Sequence, residues 1–291
     1  MVQPACKGAR PALAVEPGVA STRSHEQLLE LARGADTAAL GRAIRPLPPA
    51  DLADLFVSLE RELWPQALRQ LEGAALAGLL AAIPTALRAE VAGRLPRDQL
   101  GRILAQMASD DAADVLADLP PPLARQLLES LPREDQREVE SLLAYPEDTA
   151  GGLMQVELIA VPWDATVDQA VEAVRGDAAQ AGALHCDYVV DDHHRLVGLL
   201  KLAGLILARG STPVRALNDH DLLAVTPLVD QEEGAWMFRR YDHVALPVID
   251  EGGQLLGQVI HDDAIDVLAE EASEDILQMA GVQPTEPEVV Y

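Results

Sequence analysis

The chain is 291 residues long, enough for two or three compact domains. Apolar residues make up 49% and aromatic ones only 3%, so a sizeable core must be built mainly from Ala and Leu, which favours closely packed helices over a large β-sandwich. Forty-seven acidic against 22 basic residues give a formal charge of −25, a surface that repels DNA, RNA and anionic lipid heads and excludes nucleic acid as a partner.

Residues 1–25 are rich in Pro, Ala and Gly without a continuous apolar stretch, and read as a disordered tail rather than a signal peptide. Cys6 and Cys186 form neither a disulfide framework nor a zinc-type CxxC spacing, which suits a reducing compartment. The longest apolar runs, 74–83 and 196–208, are short or interrupted by Lys201, whereas a membrane helix needs about 20 such residues.

A repeat organises residues 26–148. Pro48, Pro84, Pro96, Pro120 and Pro132 each follow Leu or Ile and differ by multiples of 12, with Ala108 in the same phase. Proline is tolerated in a helix's first turn and disfavours helix in the residue before it, so this beat predicts successive helices of roughly two turns. None is long enough to stand alone, so they are expected to stack as a superhelix, the alternative being an irregular helical bundle.

Beyond Leu153 the pattern changes. Strands are predicted at Leu158-Ile159-Ala160-Val161, Tyr188-Val189-Val190-Asp191 and Leu196-Val197-Gly198-Leu199-Leu200, with a helix over 167–174 and another after the third strand. The order returns in Leu222-Leu223-Ala224-Val225, the helix 231–239, Ala245 to Asp250, Leu255 to Val259 and the helix 264–268. This is a β-α-β-β-α unit used twice, and two such units pack face to face because one alone leaves a sheet face uncovered. The fold class is therefore α+β and multidomain: an all-α superhelical domain over 26–148, modules over 149–212 and 213–269, and a connecting helix with tail over 270–291.

Charge concentrates at the end of the chain. After Tyr241 there is no Lys or Arg, but there are 12 acids, among them Asp242, Asp262, Asp263, Asp266, Glu270, Glu271, Glu274 and Asp275. A helix over 262–280 would put Asp263, Asp266, Glu270 and Glu274 on one face beside an apolar stripe of Ile265, Leu268, Ala272 and Ile276. Like charges at this spacing cost about 0.2–0.5 kcal/mol per pair. A second cluster, Asp110, Asp111, Asp114 and Asp118, lies in the helical region, with Asp110 and Asp114 one turn apart. Carboxylates without Cys or His suit a hard, hydrated cation such as Mg²⁺, which often takes one or two carboxylates per ion. The plain alternatives are a solvated acidic helix at the C-terminal end and, at 110–118, helix-start acids that complement the macrodipole.

The doubled unit resembles a CBS pair. The segment Tyr145-Pro146-Glu147-Asp148-Thr149-Ala150-Gly151-Gly152-Leu153-Met154, together with Val229-Asp230-Gln231-Glu232-Glu233 and Glu271-Ala272-Ser273-Glu274-Asp275-Ile276-Leu277, resembles the cytosolic region of MgtE-type magnesium channels. The resemblance spans about residues 26–282 and implies a Mg²⁺-sensing, non-enzymatic chain on the cytoplasmic side of the cell membrane. It further implies a homodimer through the CBS pair and a membrane pore that the chain would continue into after Tyr291; as given, the chain would be a soluble cytoplasmic piece or a natural soluble relative. Carried over by position, the resemblance makes Asp110 and Asp114 ligands on the helical side. It makes Asp230, Glu232, Asp242, Asp263 and Asp266 ligands on the CBS side, Glu271, Glu274 and Asp275 ligands on the connecting helix, and the Gly152 carbonyl a ligand from the junction. Arg239 stands where a small residue is expected.

CBS pairs often hold adenine nucleotides through a Ser or Thr and an Asp three residues on, after the third strand. Lys201-Leu202-Ala203-Gly204 lacks both groups, and Ile260-His261-Asp262-Asp263 lacks the hydroxyl, so ATP binding is expected to be weak or absent. No nucleophile–base pair, Walker loop or HExxH is present. The competing function is a stand-alone CBS-pair regulator that binds a nucleotide or a partner protein.

Overall fold

The computed structural model describes residues 25–34, 36–177, 187–217, 222–241 and 244–279. The chain forms two compact units, divided between Leu71 and Glu72.

The first unit comprises α1 (His25–Arg33), α2 (Thr37–Ile44), α3 (Pro49–Ser58), a 3-10 turn over Arg61–Leu63 and α4 (Trp64–Leu68). Leu28, Leu40, Ile44, Leu55, Phe56 and Trp64 are buried in it. The indole N–H of Trp64 donates to the carbonyls of Phe56 and Leu59 at 3.1 and 3.2 Å, so the one polar atom of this core residue is satisfied.

The second unit begins with six short helices: α5 (Ala74–Ala82), α6 (Thr85–Gly93), α7 (Arg97–Leu104), α8 (Ser109–Ala117), α9 (Pro121–Leu128) and α10 (Arg133–Leu142). The twelve-residue beat falls on their N-caps. Pro84, Pro96, Ala108, Pro120 and Pro132 hold φ between −62° and −51° with ψ from 132° to 155°, and Pro48 caps α3 in the same way. Each proline thus stands one residue ahead of the first turn, where its missing N–H costs nothing. Its carbonyl starts the helix by accepting from the residue four places on, as in Arg88 N–H to Pro84 at 3.1 Å. Alternate helices pack together, α5 on α7, α7 on α9, α6 on α8 and α8 on α10, and α5 on α6, α8 on α9 and α5 on α8 pack as well. Helices too short to persist alone are stabilised by these two offset rows.

After α11 (Ala150–Leu153) come β1 (Ile159–Pro162), α12 (Val167–Asp177), β2 (Asp187–Val190), β3 (Leu196–Leu200) and α13 (Leu202–Leu207). β1 pairs parallel with β2, and β2 antiparallel with β3. The second module contains α14 (Gln231–Tyr241), an antiparallel pair of β4 (Ala245–Ile249) and β5 (Leu255–Ile260), and α15 (His261–Met279). The strand expected at 222–225 contributes a single parallel bridge, Val225 to Val248.

The two modules share a core in which Tyr188, Val190 and Leu255 are buried against Leu158, Leu196, Leu199 and Ile249. Buried Gln258 bonds outward in three directions. Its Oε1 accepts from the Tyr188 hydroxyl at 2.8 Å, its Nε2 donates to the Glu157 carbonyl at 2.9 Å, and its backbone pairs with Gln155.

The same hairpin device serves both modules. Asp191 Oδ1 accepts from the backbone of His193 and Arg195, and Asp250 Oδ1 from that of Gly252 and Gln254. The left-handed residue is His194 (φ 60°) in the first turn and Gly253 (φ 81°) in the second.

The apolar stripe of α15 differs from the predicted one. Ala264 and Val267 are buried and Leu268 half-buried, whereas Ile265 is 50% exposed and Ala272 is exposed. α15 lies against both α14 and β5, and the small Ala264 faces that contact, so the helix is turned to bring Asp263 partly inward.

Gly253→Val should lower the unfolding free energy of the second unit by about 1–2 kcal/mol, because a branched side chain is forced into the left-handed region. An unchanged urea midpoint would contradict this account of the turn.

Candidate functional site

α8 starts on Ala108, whose side chain cannot cap it. The Glu157 carboxylate takes that role from the segment leading into the first module: Oε1 accepts from the Ser109 N–H at 3.0 Å and Oε2 from the Ser109 hydroxyl at 2.7 Å. The Ser109 hydroxyl in turn accepts from the Val156 N–H at 3.1 Å. Ser109 is buried, so this clasp fixes the start of α8 against the CBS pair.

The two glycines beside it are forced by close approach. A Cβ on Gly151 would meet the Tyr145 ring at 2.6 Å, and one on Gly152 the Glu147 backbone at 2.8 Å. The junction is then stitched to the second module: Ala150 N–H donates to Val229 at 2.8 Å, Gly151 N–H to Pro227 at 2.8 Å, and Gln231 N–H to Asp148 at 2.9 Å.

These constraints open a cleft of about 620 Å³ whose lining includes Asp110, Asp111, Asp114, Asp118, Glu147, Asp148, Gly152, Gln231, Asp263 and Asp266. Among the described residues, eight carboxylates line it against one guanidinium, that of Arg88. Burial is the largest influence on the carboxyls it perturbs, raising their pKa values, and neighbouring charge adds to it. Asp110 is held well above the usual range, with Asp111, Asp263 and Glu157 as further causes. Burial and Asp262, followed by Asp111, push Asp263 up to about 7. Asp111 is raised to about 6 by burial and Asp114, against the opposing pull of Arg88. Asp110 Oδ1 and Asp263 Oδ2 are buried without a hydrogen-bond partner. Two such acceptors in one anionic cleft need a proton or a positive charge, and a hard cation fits this all-oxygen donor set.

Of the residues predicted from sequence, Asp110, Asp114, Gly152, Asp263 and Asp266 come together here. Glu271 adjoins them, accepting from Gln231 Nε2 at 3.1 Å. Asp230 and Glu232 are exposed outside the cleft lining, and Asp230 Oδ1 accepts from the Glu232 N–H at 2.9 Å at the start of α14. Asp242 lies outside the described residues; Glu274 and Asp275 lie on α15, with side chains outside the description. Arg239 stacks over Trp236 at 4.7 Å. Among the described residues no three His, Cys, Asp or Glu side chains converge at metal-ligand spacing.

Sequence reasoning missed Arg88, Glu147, Asp148 and the Ser109–Glu157 clasp. For Arg88 the signal was present in the repeat, because helices two beats apart pack together and α6 therefore lies beside α8.

A superhelical domain clasped to a CBS pair across a carboxylate-lined cleft defines a class of regulatory chain, and the comparisons with known proteins specify it. The MgtE intracellular N domain family matches residues 47–148, and the CBS domain family matches 214–270. The crystal structure of the cytosolic domain of the Mg²⁺ channel MgtE in complex with ATP is 35% identical, with a TM-score of 0.79, and the two align over 84% of this chain and 100% of that one. The soluble part of a magnesium transporter is 28% identical with a TM-score of 0.74, over 85% and 98% of the two chains. The chain belongs to the MgtE family.

The magnesium transporter MgtE of Thermus thermophilus is 42% identical over 154 residues, which is 53% of this chain and 34% of that protein. The Bacillus subtilis transporter is 36% identical over 146 residues, 50% of this chain and 32% of that protein. The aligned region thus covers about a third of these transporters. No helix among the described residues is long and apolar enough to cross a membrane.

The raised carboxyl pKa values predict a pH dependence. A carboxyl whose folded pKa lies above its unfolded value of 3.8 stabilises the fold fully below that value and loses its contribution as pH rises through the folded pKa. In chelator, melting temperature should therefore fall as pH rises from about 4 to about 7. Asp263→Asn should flatten the upper part of that fall. A profile identical to the parent's would show that Asp263 does not titrate in this window.

Proposed function

We propose that this chain is the Mg²⁺-sensing cytosolic part of an MgtE-type magnesium transport protein, in which divalent cations draw the helical domain and the CBS pair together and so favour a closed pore. The observation that carries this reading is the pair of buried, partnerless carboxylate oxygens on Asp110 and Asp263, facing one anionic cleft from α8 and α15.

The residues proposed to hold the ion are Asp110, Asp263 and Asp266, with Asp111, Asp114 and the Gly152 carbonyl beside them. Bound Mg²⁺ supplies positive charge to oxygen ligands and retains part of its water. The chain's own groups set the response. With the ion removed, the carboxylates of α8 and α15 repel across a poorly solvated gap, opposed by the Ser109–Glu157 clasp. A ligand that prefers the compact arrangement shifts the balance by its differential affinity for the two arrangements. Glu271, Glu274 and Asp275 continue the acidic surface along α15, the helix proposed to connect to the pore. Asp230, Glu232 and Asp242 are proposed to serve ions outside this cleft.

Pairing of two chains through their CBS modules is proposed as well. It is supported by α13, which buries Leu205 but leaves Ile206 72% and Leu207 86% exposed. ATP is proposed to bind weakly at most. Lys201 precedes α13 where a hydroxyl is wanted, and Asp263 is committed to the acidic cleft. Calorimetry in low Mg²⁺ should give no tight ATP isotherm, and micromolar affinity would refute that part.

Small-angle scattering in saturating Mg²⁺ should give a smaller radius of gyration than in chelator. Asp110→Asn combined with Asp263→Asn should abolish most of the compaction. Dimensions that do not respond to Mg²⁺ in the parent chain would overturn the sensor reading.

A further inference from the structure

Arg88 is the only base among the described cleft-lining residues, and its placement is unusual for an arginine. It lies on α6, which packs against α8, and lines the same cleft as the acids of α8, with its side chain only 11% exposed. Nη1 donates to Asp118 Oδ2 at 3.2 Å and to Asp114 Oδ2 at 3.4 Å. Nε is buried with no acceptor. The guanidinium is therefore held inward by charge at the expense of one unsatisfied donor, instead of reaching to water as long basic side chains normally do. Asp118 is 15% exposed, so this pair is partly desolvated, whereas Asp114 at 47% is better screened.

The cleft is electrostatically divided as a result. At one end two carboxylates share a fixed positive charge. At the other, Asp110 and Asp263 have buried oxygens without a partner. An arginine stays protonated throughout the physiological range, and a covalently attached cation cannot be diluted away.

We infer that Arg88 is a built-in counter-ion that occupies the Asp114–Asp118 end of the cleft, lowering the number of divalent cations the cleft takes and confining cation-dependent closure to the Asp110–Asp263 end. The inference rests on the cation reading above and assigns a regulatory residue within it. The Arg88 charge also keeps α6 and α8 together when divalent cations are absent, so that cation loss separates α8 from α15 without separating α8 from α6.

The test uses the whole chain with Mn²⁺ as a paramagnetic probe, counted by electron paramagnetic resonance and displaced with Mg²⁺. Arg88→Gln should bind one more Mn²⁺ per chain than the parent, and at low salt the cleft should bind roughly tenfold more tightly, because one positive charge near a dication has been removed. Arg88→Lys should restore the parent count. An Arg88→Gln chain with the parent's count and affinity overturns the inference. Should Arg88→Gln fail to fold, Asp118→Asn decides with Arg88 intact. The count should stay unchanged if Asp118 serves the arginine, whereas loss of one bound ion would make Asp118 a metal ligand and refute the inference. If the parent binds no Mn²⁺ that Asp110→Asn with Asp263→Asn removes, the cation reading itself fails. Parent binding with an unresponsive Arg88→Gln defeats only the role of Arg88.

Discussion

The structure of the second unit depends on a conflict between one attraction and one repulsion at the start of α8. Ser109 donates two hydrogen bonds to the Glu157 carboxylate that tie the helix to the CBS pair, and a carboxylate at a helix N-terminus is stabilised by the macrodipole. One residue further on, Asp110 is pressed into the same interface and meets the charges of Asp263 and of Glu157 itself. The clasp cannot form without crowding the carboxylates. Each hydrogen bond to the charged Glu157 contributes about 1.5–3 kcal/mol, and each buried unsatisfied acceptor costs about 1–3 kcal/mol. Attraction and repulsion are of similar size, so on the proposed reading modest changes in cation or proton occupancy are enough to shift the balance.

The proline beat determines where that conflict sits. A helix of two turns offers few inward positions, and α8 uses Ala112, Ala113, Val115 and Leu116 for its core. The acids Asp110, Asp111, Asp114 and Asp118 must then share the remaining face, one turn wide. A longer helix could have spread them along its length. Here the superhelix turns the chain back every twelve residues and presents this face edge-on to α15. Between Pro84 and Pro132, Ala108 is the one beat without proline, and it keeps the same backbone angles. α8 is also the helix whose N-cap is completed by another segment of the chain.

Much of this was legible in the sequence because it depends on local rules. Proline's effect on the preceding residue gave the helix starts, and short apolar runs gave β1 to β5. The acidic character of residues 110–118 and 262–275 was equally plain. The sequence did not reveal the rotation of α15. Periodicity alone allowed a stripe on Ile265 and Leu268, but contact with both α14 and β5 selects the small Ala264 and Val267, and that choice decides which acids face the cleft. Arg88 escaped for a related reason: its partners are 26 and 30 residues away, on a helix that is a neighbour only through superhelical stacking.

α15 joins these features into a single lever. It follows β5 without a loop, so its first turn is anchored to the sheet by Ala264 and Val267, while Asp263 and Asp266 project into the cleft. Further along, Glu271 accepts from Gln231, whose backbone N–H is bonded to Asp148 in the junction. The junction therefore touches the same helix at two levels, through the carboxylate cleft and through Gln231. A helix held at two points along its axis resists tilting in proportion to how firmly both are held. On the cation proposal, neutralising charge at the first point stiffens that contact, while the second is a hydrogen bond from Gln231 to Glu271. In the proposed reading, the orientation of α15 beyond Glu271 is what cation occupancy controls, because that stretch is set by contacts made before the helix leaves the CBS module.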